Sequence, residues 1–326
     1  MKIKQAPDDF VVKEVLDLKL EDGPYTYFIL KKKNWNTLDA ISEIAKKMNV
    51  SEKMINFAGI KDKHAVTEQI ASVFRIGKGK LESLHVKDIE IKILGTGKEK
   101  VHTAMLVGNE FAITVRDLDE PNEKRPNHVA NYFDGQRFGT GSDNHVAGKA
   151  LVMKEFKKAC EIMKLEAEGN DYVGVLRKNP RLLKLIFHSY QSYLFNLALA
   201  EYVRIKSKKC YDVKSDFGTL VFSDYYDDIE IPLLQFDTEL SGEVKKIYEK
   251  IMKAEGLSMK DFIIRQLPDL LSSTLYRKAF AEVKDFSSEI SDDELNPGKR
   301  KQVLEFMLPK GSYATIVVKS LYPPKE

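Results

Sequence analysis

The chain has 326 residues, 43% of them hydrophobic and 31% charged, with a formal net charge of +3 at neutral pH. That length exceeds a usual single core, so two domains are expected, and the composition is that of an ordinary soluble globular protein. No apolar run reaches the roughly 20 residues that cross a bilayer, "MKIKQAPDDF" has no apolar leader, and Cys160 and Cys210 sit in no metal-binding spacing. A reduced, cytoplasmic protein is expected.

The elements follow in chain order. "DFVVKEV" and "PYTYFILKK" are β-rich, with the turn chemistry of "LEDGP" between them. Thr37 opens a helix, "LDAISEIAKKM", in which Leu38, Ile41, Ile44, Ala45 and Met48 share a face. "QIASVFRI", "DIEIKILG" and "EFAITVRDL" read as three further strands. Ile89, Ile91 and Ile93 alternate with charges, the pattern of a sheet with one wet face and antiparallel pairing.

From about residue 144 the pattern turns helical. "HVAGKALVMKEFKKACEIM" is amphipathic, and "NPRLLKLIFHSYQSYLFNLALAEYV" starts with Asn179 as cap and Pro180 in the first turn. Mixed sequence follows to about residue 285, including a charged helix in "GEVKKIYEKIMKAEG". "FMLPKGSYATIVVKSL" reads as a turn at 309–311 feeding a buried strand. A β-rich start, a helical middle and a β-rich finish suggest an insertion interrupting one sheet-based domain.

The net charge singles out no partner. "LKKKNW", "GKGK" and "GKRK" are basic spots suited to phosphate, though each alone reads first as a solvated face. The six histidines show no paired spacing, so no metal is expected. "IGKGK" and "LGTGK" complete no phosphate-loop pattern and read as turns before extended chain. There is no nucleophile elbow.

Two stretches remain. In "FAGIKDKHAVTEQ", residues 57–69, Asp62 lies between Lys61 and Lys63 in a glycine-containing loop. Adjacent cations favour the charged form of a carboxylate, which can then act as nucleophile or base. The plainer alternative is a turn aspartate bonded to its own backbone. In "NYFDGQRFG", residues 131–139, an amide, aromatic rings and an arginine cluster beside two glycines. Asn can bond a base edge, an aromatic ring can stack on a base face and Arg can hold phosphate; the alternative is an aromatic-rich turn.

These two blocks, with "DDFVVKE", "SYQSYLFN" and "LPKGSYAT", resemble in content and order the signatures of the TruD family of tRNA pseudouridine synthases. The resemblance spans nearly the whole chain and is loosest over about residues 155–285. It implies an α+β fold: a catalytic domain with a largely antiparallel mixed sheet flanked by helices, comprising residues 1–154 and 286–326, and an inserted α/β domain at residues 155–285. It implies isomerisation of uridine to pseudouridine without a cofactor, at uridine 13 in the D-arm of tRNA, held in a cleft between the domains. Asp62 stands at the catalytic aspartate. Phe10, Asn131, Phe133, Tyr313 and Lys61 stand at substrate-binding positions, with Phe133 stacking a flipped-out base. No metal, membrane or protein partner is implied, and a monomer is expected. Asp134 stands where the family commonly has glycine, and Tyr313 where some members carry phenylalanine. Two rival readings are an RNA-binding protein without catalysis and an RNA methyltransferase. The second lacks a glycine-rich cofactor loop after a first strand.

Overall fold

The computed structural model describes residues 1–323. In chain order come β1 (Phe10–Leu16), β2 (Tyr25–Lys33), α1 (Thr37–Met48), β3 (Ile55–Phe57), β4 (Val66–Phe74), α2 (Lys78–Glu82), β5 (Ile89–Gly97) and β6 (Leu106–Leu118). A second series follows: β7 (His128–Ala130), α3 (Gly135–Phe138), α4 (Asn144–Val152), α5 (Phe156–Ile162), α6 (Tyr172–Lys178) and α7 (Pro180–Lys206). It continues with β8 (Tyr211–Ser215), β9 (Gly218–Phe222), β10 (Glu230–Leu233), α8 (Gly242–Glu255), β11 (Leu275–Lys278) and β12 (Phe280–Glu282). The chain closes with β13 (Lys284–Asp292), β14 (Arg300–Pro309) and α9 (Ala314–Leu321). Two compact units result: Met1–Asn127 with Glu282–Gly311, and His128–Ala281 with the C-terminal segment from Ser312. The second unit thus takes in residues 128–154 as well as 155–281.

The first unit is built on an eight-stranded sheet in the order β13-β14-β6-β1-β4-β2-β5, with β3 added to β4. β1 and β4 run parallel; β1–β6, β6–β14, β13–β14, β2–β4, β2–β5 and β3–β4 are antiparallel. The last two strands therefore join the sheet begun by the first six.

Helix α1 covers one face of this sheet. Asn36 caps it by accepting Leu38 N, and Asn49 ends it in the left-handed conformation. Ala40, Ile41, Ile44, Ala45 and Met48 are buried against Phe28, Leu30, Ile55, Ala71, Val73 and Ile89. Each large side chain on that face contributes roughly 1.5–3 kcal/mol over its exposed state. Leu38 is exposed instead, because its place in the first turn lies off the stripe.

In the second unit α7 is buried on nearly all sides: Leu183, Ile186, Phe187, Tyr190, Leu194, Phe195, Leu199 and Val203 are all in the core. Helix α4 crosses it at Gly148, where a Cβ would sit 2.1 Å from Ile186 O. Only glycine allows that approach.

Three local expectations are corrected. The helix anticipated over 145–163 is two helices, because Lys154 adopts a left-handed backbone (φ 61°) between α4 and α5. The final apolar run is helix α9 and not a strand: Ala314, Val317, Val318 and Leu321 bury a helical stripe, and that burial overrides the β-branched preference. "GKGK" opens the five-residue helix α2 where extended chain was expected.

Candidate active site

In the first unit the loop between β3 and β4 is clamped along its length. Ala58 O accepts Thr103 Oγ1 (2.8 Å) and Gly59 O accepts Gln69 Nε2 (3.3 Å). Lys61 N donates to Thr37 Oγ1 (3.0 Å), and that hydroxyl donates to Gln69 Oε1 (2.9 Å). Asp62 O accepts the ammonium of Lys32 (3.0 Å), which also donates to Trp35 O (2.7 Å). Lys32 is 1% exposed, and burial brings its pKa down to about 8 despite the attraction of Asp62. A loop with so many backbone groups tied to side chains of four separate segments holds the Asp62 Cα in place.

The Asp62 side chain is one-third exposed, and its Oδ2 receives Lys4 Nζ at 2.6 Å. The same ammonium lies 4.0 Å from the centroid of the Phe10 ring. Lys4, Phe10 and Asp62 thus form one cluster. Phe10 enters it because Asp9 is anchored: its carboxylate accepts Ala6 N (2.7 Å) and Arg116 Nε (2.8 Å). Lys61 turns elsewhere. Its ammonium donates to Asn109 Oδ1 (3.0 Å) and sits 2.7 Å from Glu14 Oε1, a contact of charge more than an aligned hydrogen bond. The Glu14 side chain is fully buried, and its Oε2 accepts Ile70 N (3.1 Å).

In the second unit Asn131, Phe133 and Tyr313 come together around an arginine. Asn131 N donates to Ala279 O (2.8 Å) and its Nδ2 to Lys278 O (3.0 Å). Arg277 donates from Nε to Asn131 O (3.0 Å) and from Nη2 to Asn131 Oδ1 (2.6 Å). The Arg277 Cζ lies 4.2 Å from the Phe133 centroid and the Arg137 Cζ 5.4 Å from it. Phe195 and Tyr313 meet the same ring edge-on at 5.5 and 6.3 Å, and Asn196 bonds the Phe133 backbone at both N and O (2.9 Å each). Phe133 is 7% exposed. Burial lowers the pKa of Arg277 to about 10, lowers that of Arg137 as well, and raises that of the Tyr313 hydroxyl.

Asp134 does not add free negative charge. Its two oxygens accept Thr315 Oγ1 and Lys319 Nζ from α9, and the residue is 5% exposed. Arg137 donates from Nε to Ser192 Oγ (3.0 Å), and its carbonyl accepts Ser189 Oγ (2.7 Å).

Sequence reasoning missed Lys4 and Arg277. "MKIKQ" precedes any regular element, and "LYRKAF" reads as plain strand; no local pattern marks either residue.

Chemically, the first unit offers a carboxylate on a rigid loop, reachable by solvent, with the Lys4 ammonium on its Oδ2 and the Phe10 ring beside that ammonium. Such a group can attack an electrophilic carbon or steady a positive charge developing on one.

The chain matches the model of the family "tRNA pseudouridine synthase D (TruD)" over residues 1–168 and 227–321. It is 32% identical to a protein of Methanocaldococcus jannaschii described as a probable tRNA pseudouridine synthase D 2, over 99% of this chain and 92% of that one. It is 30% identical to a probable tRNA pseudouridine synthase D of Nanoarchaeum equitans, over 99% and 98%. The crystal structure of a protein described as a tRNA pseudouridine synthase D from Methanosarcina mazei superposes with a TM-score of 0.76 at 29% identity, covering 98% of this chain and 92% of that one. The chain belongs to the TruD family. Its α+β architecture, with a largely antiparallel sheet flanked by helices, is that of the M. mazei structure.

Proposed function

We propose that the protein isomerises uridine to pseudouridine in tRNA, at position 13 of the D-arm, with Asp62 as the nucleophile. The observation that carries this reading is the setting of Asp62: a clamped loop inside the family's signature block, with the Lys4 ammonium on its carboxylate. The reaction breaks the bond from uracil N1 to ribose C1′ and forms one from C5 to C1′. A proton leaves C5 and one is gained at N1, so the change is redox-neutral and consumes no cofactor. As the base departs C1′ becomes electron-poor, and a carboxylate held in place either bonds to it or offsets its charge.

Phe10, Asn131, Phe133 and Tyr313 are assigned to substrate binding. Asn131 has Oδ1 and one amide N–H engaged, which leaves one N–H for a carbonyl on a base edge. Phe133 presents only a margin of its ring, so a stacking base would meet it there or displace a guanidinium. Lys61, spent on Glu14 and Asn109, contributes by steadying the loop. We assign residues 1–154 and 286–326 to the catalytic domain and 155–285 to the insertion, and we place the enzyme in the cytoplasm as a monomer acting on tRNA. RNA affinity would fall with salt as lysines release counterions from phosphates.

Incubation with an unmodified tRNA transcript, followed by mapping of pseudouridine at single-nucleotide resolution, tests the proposal. One modified uridine in the D-arm is expected. No pseudouridine at any position would contradict it.

A further inference from the structure

We propose that Arg277 is a positioning residue for the substrate-binding segment 131–133, fixing the Asn131 amide and backing the Phe133 ring. The inference rests on the assignment of Asn131 and Phe133 to the substrate site.

The guanidinium grips the main-chain and side-chain oxygens of one residue, at 3.0 and 2.6 Å. A planar fork on two oxygens of the same asparagine leaves its side chain little rotational freedom. The next two residues complete the hold: Lys278 O accepts Asn131 Nδ2, and Ala279 O accepts Asn131 N. These partners also settle which way the amide faces. Arg277 can only donate and a carbonyl can only accept, so a flipped amide would set N–H against N–H and O against O. Asn131 is therefore held as a donor, with its remaining N–H suited to a base carbonyl and not to an exocyclic amine. Uracil has carbonyls at both C2 and C4, whereas cytosine carries an amine at C4.

The cost of keeping a guanidinium there argues for a role beyond packing. Arg277 is half-buried, lies 4.2 and 5.7 Å from the Phe133 and Phe195 centroids, and forms no ion pair with a carboxylate among the described residues. Beside burial, the groups that act on its charge are the Tyr313 hydroxyl and another cation, Arg137, which opposes it. An apolar side chain would fill the same space against two phenylalanines without desolvating a charge. What it could not do is orient Asn131.

The test is a cycle of wild type, N131A, R277M and N131A/R277M, assayed for kcat and KM on tRNA transcript, with R277K alongside. Arg277→Met is expected to lower kcat/KM by about ten-fold or more, chiefly in kcat, and the double variant to fall no further than about two-fold below the worse single one. Arg277→Lys keeps the charge but lacks the fork, so it is expected to behave like R277M; should R277M not fold, R277K carries the cycle. Losses that multiply, full activity in R277K, or R277M within about two-fold of wild type beside a defective N131A would each overturn the inference alone. An N131A variant with wild-type kinetics would overturn the assignment of Asn131 and the inference together. A wild-type protein that makes no pseudouridine would overturn the proposed function and the inference with it.

Discussion

Lys4 Nζ lies 2.6 Å from Asp62 Oδ2 and 4.0 Å from the Phe10 ring centroid, joining the N-terminal lead to a loop 58 residues away. Lys4, whose ammonium bonds the candidate nucleophile, is thus distant from it in sequence. Lys61 is committed to the buried Glu14, and the lysine that meets Asp62 comes from a stretch with no regular structure. The backbone of Lys4 is left-handed, with φ at 58°. That conformation costs a non-glycine residue roughly 1–3 kcal/mol, a strain that persists only where the surroundings enforce it.

Lys4→Gly separates function from stability. Glycine accepts the left-handed backbone without strain but removes the ammonium. Thermal unfolding should show stability unchanged or slightly higher, while kcat/KM on tRNA transcript falls by about ten-fold to a hundred-fold as the carboxylate loses the Lys4 ammonium. Lys4→Arg should recover part of the activity. A fully active K4G would remove Lys4 from the mechanism.

Lys32 makes a pH prediction with a definite sign. Its folded pKa is about 8, against 10.5 for the unfolded chain. Below pH 8 both states hold the proton and its contribution is flat. Between pH 8 and 10.5 the unfolded chain keeps a proton that the folded one has released, so stability rises with pH. Compared with Lys32→Met, the wild-type protein should gain up to about 3 kcal/mol across that window. Denaturant unfolding of both proteins at several pH values measures the difference. K32M should also lose activity, since the Asp62 and Trp35 carbonyls lose the ammonium that ties them together.

Arg116 holds the entry to β1. It donates to Asp9 (2.8 Å), Asp293 (2.8 Å) and Glu294 (3.0 Å), and both aspartates are buried. Arg116→Met would leave two buried carboxylates without their cation, so a loss of roughly 3–5 kcal/mol is expected in denaturant unfolding. Because Asp9 precedes Phe10 directly, activity at temperatures where the variant is folded should fall as well. A change below about 1 kcal/mol would mean that the backbone donors around Asp293 suffice.

Much of this was legible in the sequence, for physical reasons that differ by element. The alternation of Ile89, Ile91 and Ile93 with charges gave the wet-faced strand β5, because a period of two directly reports which face meets the core. The face of α1 was readable for the same reason at helical spacing, except at Leu38, which is exposed. Helix α9 was misread because "ATIVV" is β-branched. Its stripe at 314, 317, 318 and 321 was present but outweighed by propensity. The break at Lys154 depends on a left-handed residue that carries no compositional mark. Among the candidate residues, Asp62 and the aromatic block stood out because unusual residue types cluster in those two stretches. Lys4 and Arg277 did not, since their importance comes from partners 58 and 146 residues away.

The most direct measurement is pseudouridine formation by Asp62→Asn. This change keeps the shape of the side chain and removes its charge and nucleophilicity. On unmodified tRNA transcript, with tRNA affinity within a few-fold of wild type, the variant should form no detectable pseudouridine under conditions where the wild-type protein goes to completion. Turnover near the wild-type rate would contradict the assignment of Asp62.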